Sequence, residues 1–309
     1  MRITIIGAGG VGGYFGARLA QGGCDVGFVA RGAHLAALRE HGLRVESQLG
    51  EIHLPKVRVS DDPVALGPAD LVFLCVKLWD TETALRAASA ILGPETAVIS
   101  FQNGVQKDDL LRRLVGEKRV IGGVGYIGSK IARPGVISHT GTMQRLVFGE
   151  YDGSRSQRVI ALHEACIRGG IDAEISADIR RTIWEKFVFL VGLSATTTAM
   201  RSTLGPIVRN PAARAFLLDV MREVVAVGRA HGVHLPEDFA EMRLAFCDSL
   251  PPEMDSSMHA DLGSGKRLEV DWLSGAVVEL GKAVNVPAPM NRAARNILAL
   301  YAQGKQGAA

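Results

Sequence analysis

Hydrophobic positions along this chain change rhythm once, near Ala177. Before that point they come in short apolar runs separated by glycine, proline or charge, and after it they recur at helical spacing. The first run, Ile3–Ile6, is β-branched and suits a buried parallel strand that stops at Gly7. Val11–Gln21 follow with helical spacing, Phe15 and Leu19 lying one turn apart. Gly22-Gly23 closes that helix, and Val26–Ala30 predicts the second strand. Strand-like pieces at Leu43–Glu46 and Val57–Val59 precede Ala69–Lys77, which is apolar almost to its end and predicts a central strand. A helix from about Asp80 to Leu92 then leads to a further strand, Ala97–Phe101. From Val120 to Glu150 short apolar runs punctuated by Gly and Pro predict hairpin strands, after which Arg155–Arg168 reads as helix and Ile171–Ile175 as strand. Beyond Ala177, the segments Arg180–Met200, Pro211–His231, Pro236–Ser249, Lys266–Val284 and Ala288–Gln303 read as helices, several opening with Pro near the first turn. The expectation is an α/β first domain, residues 1–176, with a doubly wound and mainly parallel sheet, followed by an all-α second domain, residues 177–309.

Composition changes this picture little. A chain of 309 residues that is 47% apolar and 22% charged has an ordinary globular balance and room for two cores. The net charge of +3, with no block of like charges, points to neither nucleic acid nor a membrane surface and leaves room for a small anionic ligand. No apolar run approaches the ~18 residues of a membrane span. Glycines interrupt the N-terminal segment where a signal peptide needs a continuous apolar region, so a cytoplasmic protein is expected. Cys24, Cys75, Cys166 and Cys247 lie far apart and form no C-x-x-C, so they read as buried thiols and no metal site is expected.

The candidate chemistry sits at the ends of the predicted elements. Gly7-Ala8-Gly9-Gly10-Val11-Gly12 fits G-x-G-x-x-G between a strand and a helix. Glycine permits a tight turn at position 7, close approach of a pyrophosphate at 9 and tight helix–strand packing at 12, while the helix N-terminus offers unpaired N–H groups. This predicts a Rossmann-type dinucleotide site. Arg31 ends the second strand, where an acidic residue would bind a ribose 2′-hydroxyl and an Arg accommodates a 2′-phosphate; Asp25 is at the wrong end of that strand. The plainer alternative is that Arg31 is a solvated loop residue. Lys77 and Asn103 end two further strands, on the side of an open α/β sheet where ligands bind. Asn-Gly is also a common turn, and Lys often ends a strand in solvent. Lys186 interrupts the apolar run Trp184–Ser194, with Leu190 and Ser194 on its stripe. Such a lysine either snorkels to solvent or faces a cleft with a partner. Beside a nicotinamide, its ammonium could hold a carbonyl oxygen and give it a proton. Glu269, at the predicted start of a late helix, would keep that ammonium charged and oriented if brought beside it, the alternative being a purely structural pair. Ser256 is a candidate helix cap.

Gly7-x-Gly9-x-x-Gly12, Val76-Lys77-x-Trp79, Gln102-Asn103-Gly104, Trp184-x-Lys186, Ser256-Ser257-Met258-x-x-Asp261 and Glu269-x-Asp271 resemble, in order and spacing, the ketopantoate reductases (2-dehydropantoate 2-reductases), essentially end to end. The resemblance implies NADPH-dependent reduction of ketopantoate to pantoate, a step of pantothenate biosynthesis, or of a related 2-oxo acid or ketone. It implies a Rossmann domain joined to a helical domain like that of phosphogluconate dehydrogenases, and it admits a homodimer. By the same resemblance Lys186 is the general acid and Glu269 its partner at the substrate. Asn103 and Lys77 flank nicotinamide and substrate, Ser257 binds substrate, and Arg31 meets the 2′-phosphate. The chain departs from the family one and two turns beyond the lysine, where two asparagines usually bind substrate and where Leu190 and Ser194 stand here. The expectation is retained reductase chemistry with a preference for an apolar tail. An NADP(H)-binding sensor or scaffold without turnover is the alternative, which a charged amine in an apolar helix does not require.

Overall fold

The computed structural model describes residues 1–305 and divides into two compact units, one of Met1–Gln102 with Lys107–Thr182, the other of Asn103–Gln106 with the chain from Ile183 onward. The first unit is built on a ten-stranded sheet. Its strands are β1 (Arg2–Ile6), β2 (Asp25–Val29), β3 (Leu43–Glu46), β4 (Ile52–Leu54), β5 (Arg58–Ser60), β6 (Leu71–Leu74), β7 (Ala97–Ser100), β8 (Val120–Arg133), β9 (Val136–Gly149) and β10 (Asp172–Ile175). They lie in the order β4-β3-β9-β8-β7-β6-β1-β2-β5, with β10 beside β9. The pairings are parallel except β3–β4 and β8–β9.

The helices of this unit are α1 (Gly10–Gln21), α2 (Gly32–His41), α3 (Thr81–Ala87), α4 (Lys107–Val115) and α5 (Gln157–Arg168). Alternate strand residues feed two cores, as the two-residue period of a strand requires. Ile3, Ile5, Phe73 and Ile99 pack with Phe15 of α1, Leu38 of α2 and Leu162 of α5, whereas Ile6, Val72, Leu74 and Val98 pack with Leu85 of α3 and Leu111 of α4. Helices on both faces explain why the central strands read as unbroken apolar runs. The sheet is doubly wound, as expected.

Several elements differ from expectation. The helix anticipated over 80–92 is only α3 flanked by 3₁₀ turns, and α2, α4 and β4 have no counterpart in the hydrophobic pattern. The short strands anticipated between Val120 and Glu150 are one long hairpin, β8–β9. Two of its glycines are clearances, not breaks: a Cβ at Gly122 would come within 2.7 Å of Ile179, and one at Gly123 within 2.8 Å of Ile99.

The second unit is helical: α6 (Ile179–Met200), whose first turn belongs to the first unit, then α7 (Leu204–Arg209), α8 (Pro211–Ala230), α9 (Phe239–Asp248), α10 (Ser257–Gly263), α11 (Ser274–Ala283) and α12 (Pro289–Leu298). Its core joins Phe187, Val188 and Val191 of α6 to Val220 and Val224 of α8 and Val277 of α11. The helix expected from Lys266 begins only at Ser274, because Leu268 N–H bonds Ala302 O (2.9 Å) and Lys305 N–H bonds Gly265 O (2.8 Å), a tertiary pairing that takes the place of a first helical turn. Among the described residues no helix is long and apolar enough to cross a membrane.

Candidate active site

The glycine-rich turn joins β1 to α1. Gly7 has φ +99°, a conformation that glycine adopts without strain, and the N–H groups of Gly7 and Ala8 both donate to Val29 O at the end of β2 (3.2 and 3.0 Å). A Cβ at Gly7 would lie 2.9 Å from the Cys75 backbone, and one at Gly12 would lie 2.2 Å from Gly7 O. Turn and packing therefore demand glycine at 7 and 12. Gly9 differs, because a Cβ there would meet nothing within 4 Å. That open space at the N-cap of α1 is what close approach of a pyrophosphate to the backbone requires, so this cradle fits a dinucleotide. Gly10 lies under the hairpin, where a Cβ would be 2.4 Å from Ser129 O. The Cys75 thiol is pushed up to about 12 by burial and stays a neutral filler.

Arg31 occupies the N-cap position of α2, exposed, and its guanidinium makes no hydrogen bond or ion pair with another described residue. Asp25, at the opposite end of β2, is held by Arg58 and Arg2, whose hydrogen bonds keep its carboxyl below the usual value. On α2, His34 is half-buried between two backbones: Nε2–H donates to Ala8 O (2.9 Å) and Nδ1 accepts from Gly135 N–H (3.1 Å). These partners fix the neutral tautomer, and burial lowers its pKa.

Lys77 follows β6, with Nζ 5.7 Å from the centre of the Trp79 ring. Gln102 is 8% exposed, and its Nε2 donates to Val76 O and Thr81 Oγ1, both at 2.8 Å. The chain returns to the first unit at Lys107, which is 2% exposed and donates to Ser100 O and the Asp108 carboxylate. Burial pushes the Lys107 pKa down, against the pull of Asp108.

In the second unit the structure brings Asn103 and Lys186 together, Lys186 Nζ donating to Asn103 Oδ1 at 3.1 Å. The lysine is half-buried, as is Leu190 one turn on. Ser194 is 1% exposed, and its hydroxyl has no hydrogen-bond partner among the described residues. Thr197 Oγ1, one turn after Leu193, bonds Ser256 Oγ (2.8 Å), which caps α10 by accepting His259 N–H (3.1 Å). The expected cap is thus present, and Ser257 is the exposed first residue of α10. Glu269 is 4% exposed but lies in the turn segment before α11, not on a helix as expected. Asp271 beside it is paired with Arg295 (2.9 Å). Gln102, His34 and Thr197 were not singled out from sequence; of these only Gln102, inside Gln102-Asn103-Gly104, lay next to a flagged residue.

Residues 3–153 match the family described as Ketopantoate reductase PanE/ApbA, and residues 178–302 match Ketopantoate reductase PanE/ApbA C terminal. A 2-dehydropantoate 2-reductase of Mesorhizobium japonicum is 34% identical over 310 residues, covering 94% of each chain. The crystal structure of a PanE/ApbA family ketopantoate reductase from Ralstonia eutropha JMP134 superposes with a TM-score of 0.89 at 35% identity, over 98% of both chains. The ternary structure of D-mandelate dehydrogenase with NADH and anilino(oxo)acetate shares the fold, with a TM-score of 0.89 at 21% identity over 98% of both chains.

Proposed function

The chain belongs to the ketopantoate reductase family, and from that premise we propose that it reduces the keto group of a 2-oxo acid with NADPH, Lys186 supplying the proton. The observation that carries this reading is the bond from Lys186 Nζ to Asn103 Oδ1. An ammonium can only donate, so the amide oxygen faces it and the Asn103 Nδ2 hydrogens are left to hold a carboxamide or a substrate oxygen. Lys186, oriented in this way, donates to the substrate keto oxygen and transfers a proton to it as negative charge builds there. Glu269 keeps the ammonium charged, Ser257 holds the substrate, and Lys77 flanks nicotinamide and substrate.

The cofactor supplies a hydride when bound. Gly7, Ala8, Gly9, Gly10, Val11 and Gly12 hold its pyrophosphate, and the guanidinium of Arg31, unpaired among the described residues, takes the 2′-phosphate that distinguishes NADPH. Leu190 and Ser194 line the substrate tail, so an apolar tail is preferred to the hydroxylated tail of ketopantoate. The non-catalytic sensor is not favoured by the family match.

NADPH oxidation followed with ketopantoate and a panel of 2-oxo acids tests the reading. Lys186→Ala is expected to lower kcat by at least ~10²-fold while leaving the NADPH dissociation constant nearly unchanged. Unchanged turnover in that variant removes Lys186 from the mechanism.

A further inference from the structure

Asn103 sits in a segment of four residues, Asn103–Gln106, that belongs to the second unit while both its flanks belong to the first. Both flanks are bonded to a single residue, Ser100. Ser100 Oγ donates to Gln102 Oε1 (2.8 Å), and Ser100 O accepts from Lys107 Nζ (2.9 Å). Each side chain is then fixed to its surroundings. Both amide hydrogens of Gln102 are used, one on Val76 O, two residues beyond β6, and one on Thr81 Oγ1 at the start of α3 (2.8 Å each). Lys107 also donates to both carboxylate oxygens of Asp108 (3.0 Å each), and Asp108 accepts from Tyr151 OH (2.5 Å).

A primary amide buried to this degree is costly unless its hydrogen bonds are made, and here they are made to groups that cannot follow Asn103 if it moves. Gln102 is the residue immediately before Asn103. A rotation of its backbone is therefore passed directly to the Asn103 side chain, whose 3.1 Å bond to Lys186 fails on a displacement of about 1 Å.

We propose that Gln102 is a positioning residue: its amide, braced by Ser100, Val76 and Thr81, sets the Asn103 side chain at the distance from Lys186 that catalysis needs, with Lys107 anchoring the far end of the same segment. The proposal rests on the role given to Asn103 above. Gln102→Met keeps the size of the side chain and removes its donors and acceptor. It is expected to lower kcat on the preferred 2-oxo acid by about 10- to 100-fold, the usual consequence of a misplacement near 1 Å. KM should change much less. If Gln102 acts through Asn103, the double variant Gln102→Met/Asn103→Ala turns over no more slowly than Asn103→Ala alone.

A second readout needs no activity. The chain has five asparagines, Asn103, Asn210, Asn285, Asn291 and Asn296, so ¹⁵N-asparagine labelling gives a sparse side-chain amide spectrum. The Asn103 pair, identified by its disappearance in Asn103→Asp, is expected to shift or broaden in Gln102→Met while the other four stay in place. Should Gln102→Met fail to fold, Ser100→Ala removes one donor to the same amide and is read in the same two ways. Multiplicative losses in the double variant, or an unmoved Asn103 signal, overturn the positioning role. Full turnover by Asn103→Ala is a separate outcome: it overturns the assignment of Asn103 itself, and the positioning role with it.

Discussion

Leu190 stands one turn beyond Lys186 on α6, half-buried and packed against the core of the second unit. A leucine there offers no hydrogen bond, and a hydroxylated tail placed against it leaves an unpaired polar group, at about 1–3 kcal/mol or one to two orders of magnitude in specificity. Ser194, one turn further, is buried with a hydroxyl that no described residue bonds and is too short to stand in for an amide. Leu190→Asn is therefore expected to move kcat/KM toward ketopantoate by about 10- to 100-fold relative to ketoisovalerate. If the wild-type protein already prefers ketopantoate, the pocket argument fails. At this scale Lys186 and Asn103 were legible because a lysine in an apolar helix and an asparagine at a strand end are conspicuous by type. Gln102 was not, since what makes it matter is a bond to Val76 O, 26 residues away.

The element that escaped sequence reading most completely, α2, carries the brace of the glycine-rich turn. His34 joins Ala8 O to Gly135 N–H, and protonation of Nδ1 would set two donors face to face. Among the described residues it forms no ion pair, and the charged side chains of α2 and its N-cap are Arg31, Arg39 and Glu40. Burial holds its pKa below the unfolded value of 6.5, so the folded chain takes up this proton less readily than the unfolded one. The stability it contributes is complete above the unfolded value and is lost as pH falls through the lower folded value. Between about pH 7.5 and pH 5 the wild type is thus expected to lose more stability in urea unfolding than His34→Gln, which keeps one donor and one acceptor and does not titrate. Equal losses would show that His34 is not the titrating brace. Another missed helix, α4, explains why pattern alone falls short. Its buried stripe is Lys107, Asp108, Leu111 and Val115, and the two charges at its head hide the amphipathic period. The central strands β1, β2, β6 and β7, buried on both faces, were far easier to read.

The chain passes between its two units at Gln102–Asn103, Gln106–Lys107 and Thr182–Ile183. A single change of hydrophobic rhythm revealed that there are two architectures, but four residues carry no rhythm, so the excursion at Asn103–Gln106 was not legible. Its energetic consequence follows from connectivity. Val105 packs against the core of the second unit, and its place there is set by flanks anchored in the first. With the first unit unfolded, bringing that segment back would close a loop spanning Lys107 to Thr182, at ~4 kcal/mol on the chain-closure scaling. Loss of the first unit therefore weakens the second, and the two are expected to unfold together. A ligand of the glycine cradle should then stabilise the whole chain, by about 2.7 kcal/mol at a hundred times its dissociation constant. Trp184 and Trp272 lie in the second unit and Trp79 in the first, so tryptophan fluorescence reports chiefly on the unit without the cradle. In thermal unfolding, NADP⁺ is expected to raise the fluorescence midpoint and the far-ultraviolet circular dichroism midpoint by the same amount. NAD⁺ at equal concentration should raise both less, and Arg31→Asp should erase or reverse the difference between the two cofactors, because the guanidinium proposed to meet the 2′-phosphate is gone. Two separate transitions, with only one moved by NADP⁺, would show that the excursion does not couple the units. An equal response to both cofactors in the wild type would show instead that Arg31 does not select NADPH.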